Sequence, residues 1–163
     1  MRADPIRLAE LRRLMILDSS PERDFDNLTG VLASSLEVPI AMVNLLDERR
    51  DWFKSRVGLA QGESPAATSF CEAFFHSADD AIVVEDTTRD ERFREHPLVI
   101  GAPHVRFYAA ARLVVAGQTV GTLCAYDLKP RRIPADRLMQ LQTLASAVVD
   151  LLRQRKTLLA ASP

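Results

Sequence analysis

Cysteine is scarce in this chain: only Cys71 and Cys124 occur among 163 residues. Two thiols so far apart cannot build a finger-type zinc site, and in a reducing compartment they stay free. Histidine is equally sparse and unclustered (His76, His96, His104), which argues against a haem or metal centre built on imidazoles. Asp86, Asp90 and Glu91 lie close together, but a charged loop of this kind is usually a solvated face. No glycine-rich phosphate cradle and no Ser-His-Asp constellation is present. No apolar run approaches the length of a membrane-spanning helix, and the N-terminus carries alternating charges instead of a signal-peptide core. The expected location is therefore cytoplasmic. A net charge of -1 gives no general attraction to nucleic acid or an anionic membrane. There is no internal repeat and no low-complexity tract.

What remains is a chain with 47% hydrophobic residues, enough for one well-filled domain over residues 1–163, with its core at about 20–130. Asp4-Pro5 reads as a helix start, and Leu8, Leu11, Leu14 and Met15 carry that helix to about Ile16. Ser19 and Glu22 are spaced as a capping box for a second helix with Phe25, Leu28, Leu32 and Leu36 along one side. Pro39 to Leu46 reads as a buried strand, Asp47 to Arg50 as a turn, and Trp52 to Val57 as its hairpin partner. Gly58 to Thr68 is expected to be a loop, followed by a short helix capped by Ser69. A short strand at Ile82 to Val84 and a charged loop from Asp86 to His96 come next. A second hairpin joins Val105–Val115 to Val120–Tyr126 around Ala116-Gly117. After the linker Pro130–Pro134, residues 135–159 read as one long helix. Helices, hairpin, irregular middle, hairpin and helix together predict an α+β domain. Its antiparallel sheet of five or six strands has helices on one face and covering segments on the other.

Strand alternation assigns the faces. Val105, Phe107, Ala109, Ala111 and Leu113 belong to the helix side. His104, Arg106, Tyr108, Ala110 and Arg112 face the other way. In the next strand Val120, Thr122, Cys124 and Tyr126 share that second face. Arg106, Tyr108, Thr122 and Cys124, with Phe70 and Cys71 from the covering segment, are the candidate ligand-binding residues. A guanidinium on such a face predicts a small polar or anionic ligand. The alternative is that Arg106 pairs with Asp86 or Asp90 and that Tyr108 is packing with its hydroxyl satisfied. Lys54 and Arg56 are expected to be solvated charges. Trp52 and Phe53 lie on opposite faces, and alternation alone does not say which is core.

Taken as a set, several blocks resemble the GAF domain, in the bacterial subgroup that begins with a leucine-rich helix. They are Ile16-Leu17-Asp18, Val38-Pro39-Ile40-Ala41, Leu46-Asp47-Glu48-Arg49, Trp52 to Leu59, Ser69-Phe70-Cys71, Arg106-Phe107-Tyr108-Ala109 and Gly121-Thr122-Leu123-Cys124. The resemblance covers about residues 6–150. It implies a central antiparallel sheet, terminal helices on one side, and a ligand cavity roofed by loops on the other. It also implies a sensory role, since such domains bind cyclic nucleotides, bilins, haem or small metabolites in signalling proteins. The chain departs from the subgroup at Ala110-Ala111-Arg112-Leu113, where glycine, a small residue, proline and leucine are usual. An alanine at 110 narrows the cavity. Ala66-Ala67 and Glu72-Ala73 replace the arginine and histidine usual on either side of Ser69-Phe70-Cys71.

Three functions fit these features. The first is a sensory or regulatory domain whose ligand and cofactor are unidentified. The second is a reductase of free methionine sulfoxide, with Cys71 and Cys124 as the catalytic pair. The third is a ligand-free dimerisation module. The stripe Leu138, Leu141, Leu144, Ala145, Val148, Leu151, Leu152, Arg155 and Leu159 is broader than a sheet-covering helix needs. It predicts pairing with the first helix and with a second copy of the chain. A downstream signalling protein is the natural recipient of any output.

Overall fold

A computed structural model describes residues 1–161, with side chains through Leu159; the last two residues of the expected domain, 162–163, lie outside it. Asp4 accepts hydrogen bonds from the amides of Ile6 (2.8 Å) and Arg7 (3.4 Å), which opens α1 (Pro5–Arg13). The helix stops short of Ile16 because Met15 turns into the left-handed region at φ 47°. The expected capping box does not form. Ser19 Oγ donates to the Ile16 carbonyl instead, and α2 (Arg23–Leu36) starts at Glu22 with no side-chain cap. The competitor is Lys54, whose ammonium takes both Ser19 Oγ (2.8 Å) and Glu22 (2.5 Å). Lys54 is thus a buried, paired cation, contrary to its expected solvation, whereas Arg56 is exposed.

Six antiparallel strands follow: β1 (Ile40–Leu46), β2 (Arg50–Val57), β3 (Glu63–Pro65), β4 (Ala81–Val84), β5 (Phe107–Val115) and β6 (Gln118–Asp127). Their order is β3-β2-β1-β6-β5-β4, so the two hairpins meet at β1 and β6 in the centre. The edge strand β3 lies in the expected loop; three residues are too few to show alternation. Ala116 (φ 50°) and Gly117 (φ 77°) close the second hairpin with two left-handed residues, as a tight two-residue turn requires. Gly121 lets β6 approach β1 closely, since a Cβ there would lie 2.2 Å from the Asn44 carbonyl oxygen.

The face assignment holds through the middle of both strands and fails at their ends. Phe107, Ala109, Ala111, Leu113, Leu123 and Ala125 join α1, α2 and the long α4 (Ala135–Ala161) in one core. Val120, expected on the opposite face, belongs to this core because a register shift between Leu113 and Val114 turns the strand over. Val105, expected on the helix side, joins the other core, since β5 begins only at Phe107 and the Val105 amide bonds to Leu98 (2.8 Å). On α4, Leu141, Ala145, Val148 and Leu152 are buried. Each such leucine contributes roughly 1.5–3 kcal/mol of burial energy. The end of α4 is tied to the end of α1: Arg155 donates to the carbonyls of Leu14 and Met15 (2.9 Å each), and Lys156 pairs with Glu10.

The opposite face is covered by a roof of short pieces. These are two 3-10 segments, Ala66–Thr68 and Phe70–His76, a third at Thr87–Arg89, and the short α3 (Pro97–Ile100). Ser69 caps the second segment as expected, accepting from the Cys71 amide at 3.2 Å. Among the described residues no helix is long and apolar enough to cross a membrane.

Candidate functional site

The space between sheet and roof divides into a solid half and a hollow half. Over β5 and β6 it is solid. Tyr108, Thr122 and Cys124 project from the sheet and Cys71 descends from the roof, and all four are fully buried. Cys71 Sγ lies 3.1 Å from Tyr108 Oη and 3.1 Å from Thr122 Oγ1. Phe70 packs against Phe93 (5.1 Å between centroids), Tyr108 (5.3 Å) and Tyr126 (5.5 Å). Stacks of this kind stabilise by about 0.5–1.5 kcal/mol each beyond their burial. Burial pushes the Cys71 thiol up, but hydrogen bonds with Cys124, Thr122 and Tyr108 outweigh it and hold the thiol below its ordinary value. Cys124 goes the other way, raised by burial and by the neighbouring Cys71. Burial likewise raises the Tyr108 and Tyr126 hydroxyls.

Five of the six expected residues therefore come together, but four of them as a packed block. Phe70 alone of the six also borders the hollow half. Arg106 does not join them. Its guanidinium, half-buried, donates to the carbonyls of Val99 (3.0 Å) and Val105 (3.2 Å) and braces α3. Asp86 caps Thr88, and Asp90 pairs with Arg92, so neither is the ion-pair partner expected for Arg106. Arg112 also sews the roof down: it donates to the carbonyls of Ser77 and Asp79 and lies over the Phe74 ring at 5.0 Å.

Over β1 and β2 the roof stands off the sheet and leaves a cavity of about 140 Å³. Its apolar wall includes Met42, Phe53, Phe70, Leu98 and Val105. Phe53 thus faces the roof, and Trp52 packs on the helix side. The cavity also has a polar floor that sequence reasoning missed. Asn44, 1% exposed, donates through Nδ2 to Asp51 Oδ2 (3.0 Å). That bond fixes the amide orientation, because a flip would set two oxygens against each other. Asn44 Oδ1 is consequently left with no hydrogen-bond partner among the described residues. Asp51 accepts a 2.5 Å bond from Ser69 Oγ on the roof, and its other oxygen lies 3.0 Å from a guanidinium nitrogen of Arg2. Neither atom of that ion pair makes a hydrogen bond in which the geometry is aligned. Burial raises the Asp51 carboxyl above the usual range, against the opposing pull of Arg2, Ser69 and Asn44.

One sequence signal did mark this floor. Asn44 interrupts the otherwise apolar strand Ile40-Ala41-Met42-Val43-Asn44-Leu45-Leu46, and a lone amide in a buried strand requires partners. Asp51 had no such mark, since it adjoins the charged turn Asp47 to Arg50. Arg2 lies at the far N-terminus, and only the fold brings it to the floor.

The geometry now meets its relatives. The sequence profile of the GAF domain matches residues 20–150, and the chain belongs to that family. Members of the family typically serve as sensory or regulatory domains in signalling. A cyclic di-GMP phosphodiesterase of Pseudomonas aeruginosa is 36% identical over 132 residues, which cover 80% of this chain and 22% of that protein. The chain thus spans about a fifth of that relative's length. Among solved structures, the GAF domain of an Acinetobacter phosphoenolpyruvate-protein phosphotransferase superposes with a TM-score of 0.66 at 16% identity, covering 95% of this chain and 98% of the other. A free methionine-R-sulfoxide reductase of Neisseria meningitidis, solved with its substrate, gives 0.63 at 14% identity over 91% and 88%. At these identities the structural likenesses define the fold.

Proposed function

We propose that this GAF domain is a cytoplasmic sensory or regulatory module that binds a small molecule in the cavity over β1 and β2. Occupancy shifts the balance between arrangements of the roof and the terminal helices. The observation that carries this reading is a cavity whose polar floor holds a buried acceptor, Asn44 Oδ1, to which none of the described residues donates. Buried polar atoms left unpaired are uncommon and costly, by about 1–3 kcal/mol, and a ligand that donates here recovers that cost. The size of the space is also informative. It matches the roughly 150 Å³ that accommodates a benzene-sized guest, and falls below the roughly 300–1,000 Å³ of sites for drug-sized ligands. Bilins, haem and cyclic dinucleotides are therefore disfavoured as ligands, whatever the wider family binds.

The terminal helices supply a route for output. α4 is bound to the end of α1 through Arg155 and Lys156, and both helices retain exposed apolar side chains, Ile6 (69%) and Met139 (67%) among them. We assign this surface to a homodimer or to a downstream signalling partner. The Pseudomonas relative, named for cyclic di-GMP hydrolysis, has room for such a partner within one chain. A thermal-shift screen of small metabolites, with native mass spectrometry of the purified protein, tests the reading. A small molecule that raises Tm is expected. A full screen without any shift returns the protein to a ligand-free dimerisation module.

The reductase alternative rests on the buried Cys71 and Cys124 pair. It ranks lower because both thiols are fully covered, and neither lines the cavity that a substrate would enter. Turnover of free methionine sulfoxide that Cys71→Ser or Cys124→Ser abolishes is the result that reverses this order.

A further inference from the structure

The polar floor also specifies the kind of molecule that fits it, given that the cavity is a ligand site as proposed above. We infer that the ligand is a small primary ammonium compound with a short apolar body, and that it competes with Arg2 for Asp51.

Three observations converge on this assignment. The floor carries acceptors just beneath its surface: Asn44 Oδ1 has no hydrogen-bond partner among the described residues, and Asp51 Oδ1 faces Arg2 at 3.0 Å without an aligned hydrogen bond; both atoms are covered, so a ligand reaches them as Arg2 and the roof move. An ammonium carries three donors and no acceptor, which suits a floor of this composition better than a carboxylate or an ether does. The charges are unequal as well. Arg2 lies 3.0 Å from Asp51 and 2.8 Å from Glu72, so one guanidinium is shared by two carboxylates. Among the described residues Arg2 is the one cation paired with Asp51. A ligand cation completes the set: it takes Asp51, and Arg2 keeps Glu72 together with the Asp47 carbonyl at 2.8 Å. Finally, the walls are mainly apolar, with Gln61, Ser64 and Thr68 as their neutral polar members. Met42, Phe53 and Leu98 border the cavity, and Asp51 is the one charged residue of its lining.

Arg2 makes this a switch as well as a site. It is 7% exposed, and its backbone carbonyl accepts two hydrogen bonds from Arg7 of α1, at 3.0 and 2.5 Å. The N-terminal segment thus holds the cavity floor with one hand and α1 with the other. Replacing Arg2 at Asp51 with a ligand ammonium loosens that grip and reports occupancy to the helical layer, whose α1 is tied to α4.

Titration calorimetry of the whole chain with three probes of one size, n-butylammonium, butan-1-ol and butyrate, tests the inference. Butylammonium is expected to bind and butyrate to fail. Arg2→Met removes the competitor and is expected to tighten butylammonium by about tenfold, whereas Asp51→Asn weakens it by at least about tenfold. If Asp51→Asn does not fold, Arg2→Met still decides, because a gain of affinity does not arise from damage. Equal binding of alcohol and ammonium, or an Arg2→Met variant that binds ammonium no more tightly, overturns the charge assignment and leaves the cavity as a ligand site. Failure of all three probes, together with a thermal-shift screen without hits, overturns the cavity reading itself.

Discussion

The two halves of the space under the roof share one sheet and one covering segment, yet they are built to opposite specifications. Over β5 and β6, two small thiols, a threonine and a ring of aromatics pack together, and Cys71, Tyr108, Thr122 and Cys124 each find a polar neighbour. Over β1 and β2, one asparagine and one aspartate are held in place beneath a cavity of about 140 Å³. The solid half anchors the roof, through Phe70, Cys71 and Phe74. The hollow half uses that anchored roof as a lid. Residue type alone does not separate the two, since both carry polar atoms; what separates them is whether those atoms are satisfied from within the protein.

The contrast can be broken by substitution, and the largest effect is expected in the solid half. Phe74 is 1% exposed, and Phe74→Ala should cost about 3–5 kcal/mol in urea unfolding, because a close-packed site cannot collapse around the loss. Leu59 borders the cavity and is half-exposed, so Leu59→Ala should cost less than about 1 kcal/mol. Similar losses at both positions would erase the distinction.

Next in size is the floor. Arg2→Met strands the buried Asp51 carboxylate and should cost about 3 kcal/mol at neutral pH. The pH dependence has a definite sign. The folded-state pKa of Asp51 is raised, so the native state holds its proton more firmly than the unfolded chain does. Stability from this group is therefore lost as pH rises from the ordinary aspartate range through the raised folded value. The Arg2→Met deficit should shrink when unfolding is repeated at progressively lower pH, and Asp51→Asn should abolish that trend. A deficit independent of pH would mean that Arg2 acts through packing alone.

A third variant sharpens the comparison from the other side. Met42→Phe adds volume to the hollow half and should change stability by no more than about 1.5 kcal/mol, while any small molecule that raises Tm in the native protein ceases to do so. The smallest effect concerns the thiols. In the folded protein a thiol reagent should label neither Cys71 nor Cys124 over minutes, and both should react once urea unfolds the chain. Rapid labelling of the folded state would expose a path to the solid half and revive the reductase alternative.

Much of this architecture was legible in the residues. Alternation along β5 and β6 placed Tyr108, Thr122 and Cys124 on one face, because period-two geometry is rigid in the middle of a long hairpin. It misassigned Val120 and Val105, where a register shift and a late strand start break the period. Arg106 looked like a ligand-binding cation because alternation gives the direction of a side chain and says nothing of which carbonyls lie within its reach. The floor was hidden for a different reason. Asn44, Asp51, Ser69 and Arg2 are spread from the N-terminus to the roof, and only the antiparallel pairing of β1 with β2 and the return of the N-terminal segment bring them together. Family resemblance carried the fold further than it carried the site, since the changes at Ala110-Ala111-Arg112 fall where the roof is sewn down.

Methionine provides the most direct probe of where a ligand goes. The chain has four methionines, of which Met42 is 3% exposed and lines the cavity, whereas Met1, Met15 and Met139 are at least 67% exposed. With 13C-methyl methionine, titration of n-butylammonium should move the Met42 resonance and leave the other three unchanged. Movement confined to the exposed methionines, or a Met42 signal that stays fixed while calorimetry records binding, would place the ligand elsewhere and contradict the account.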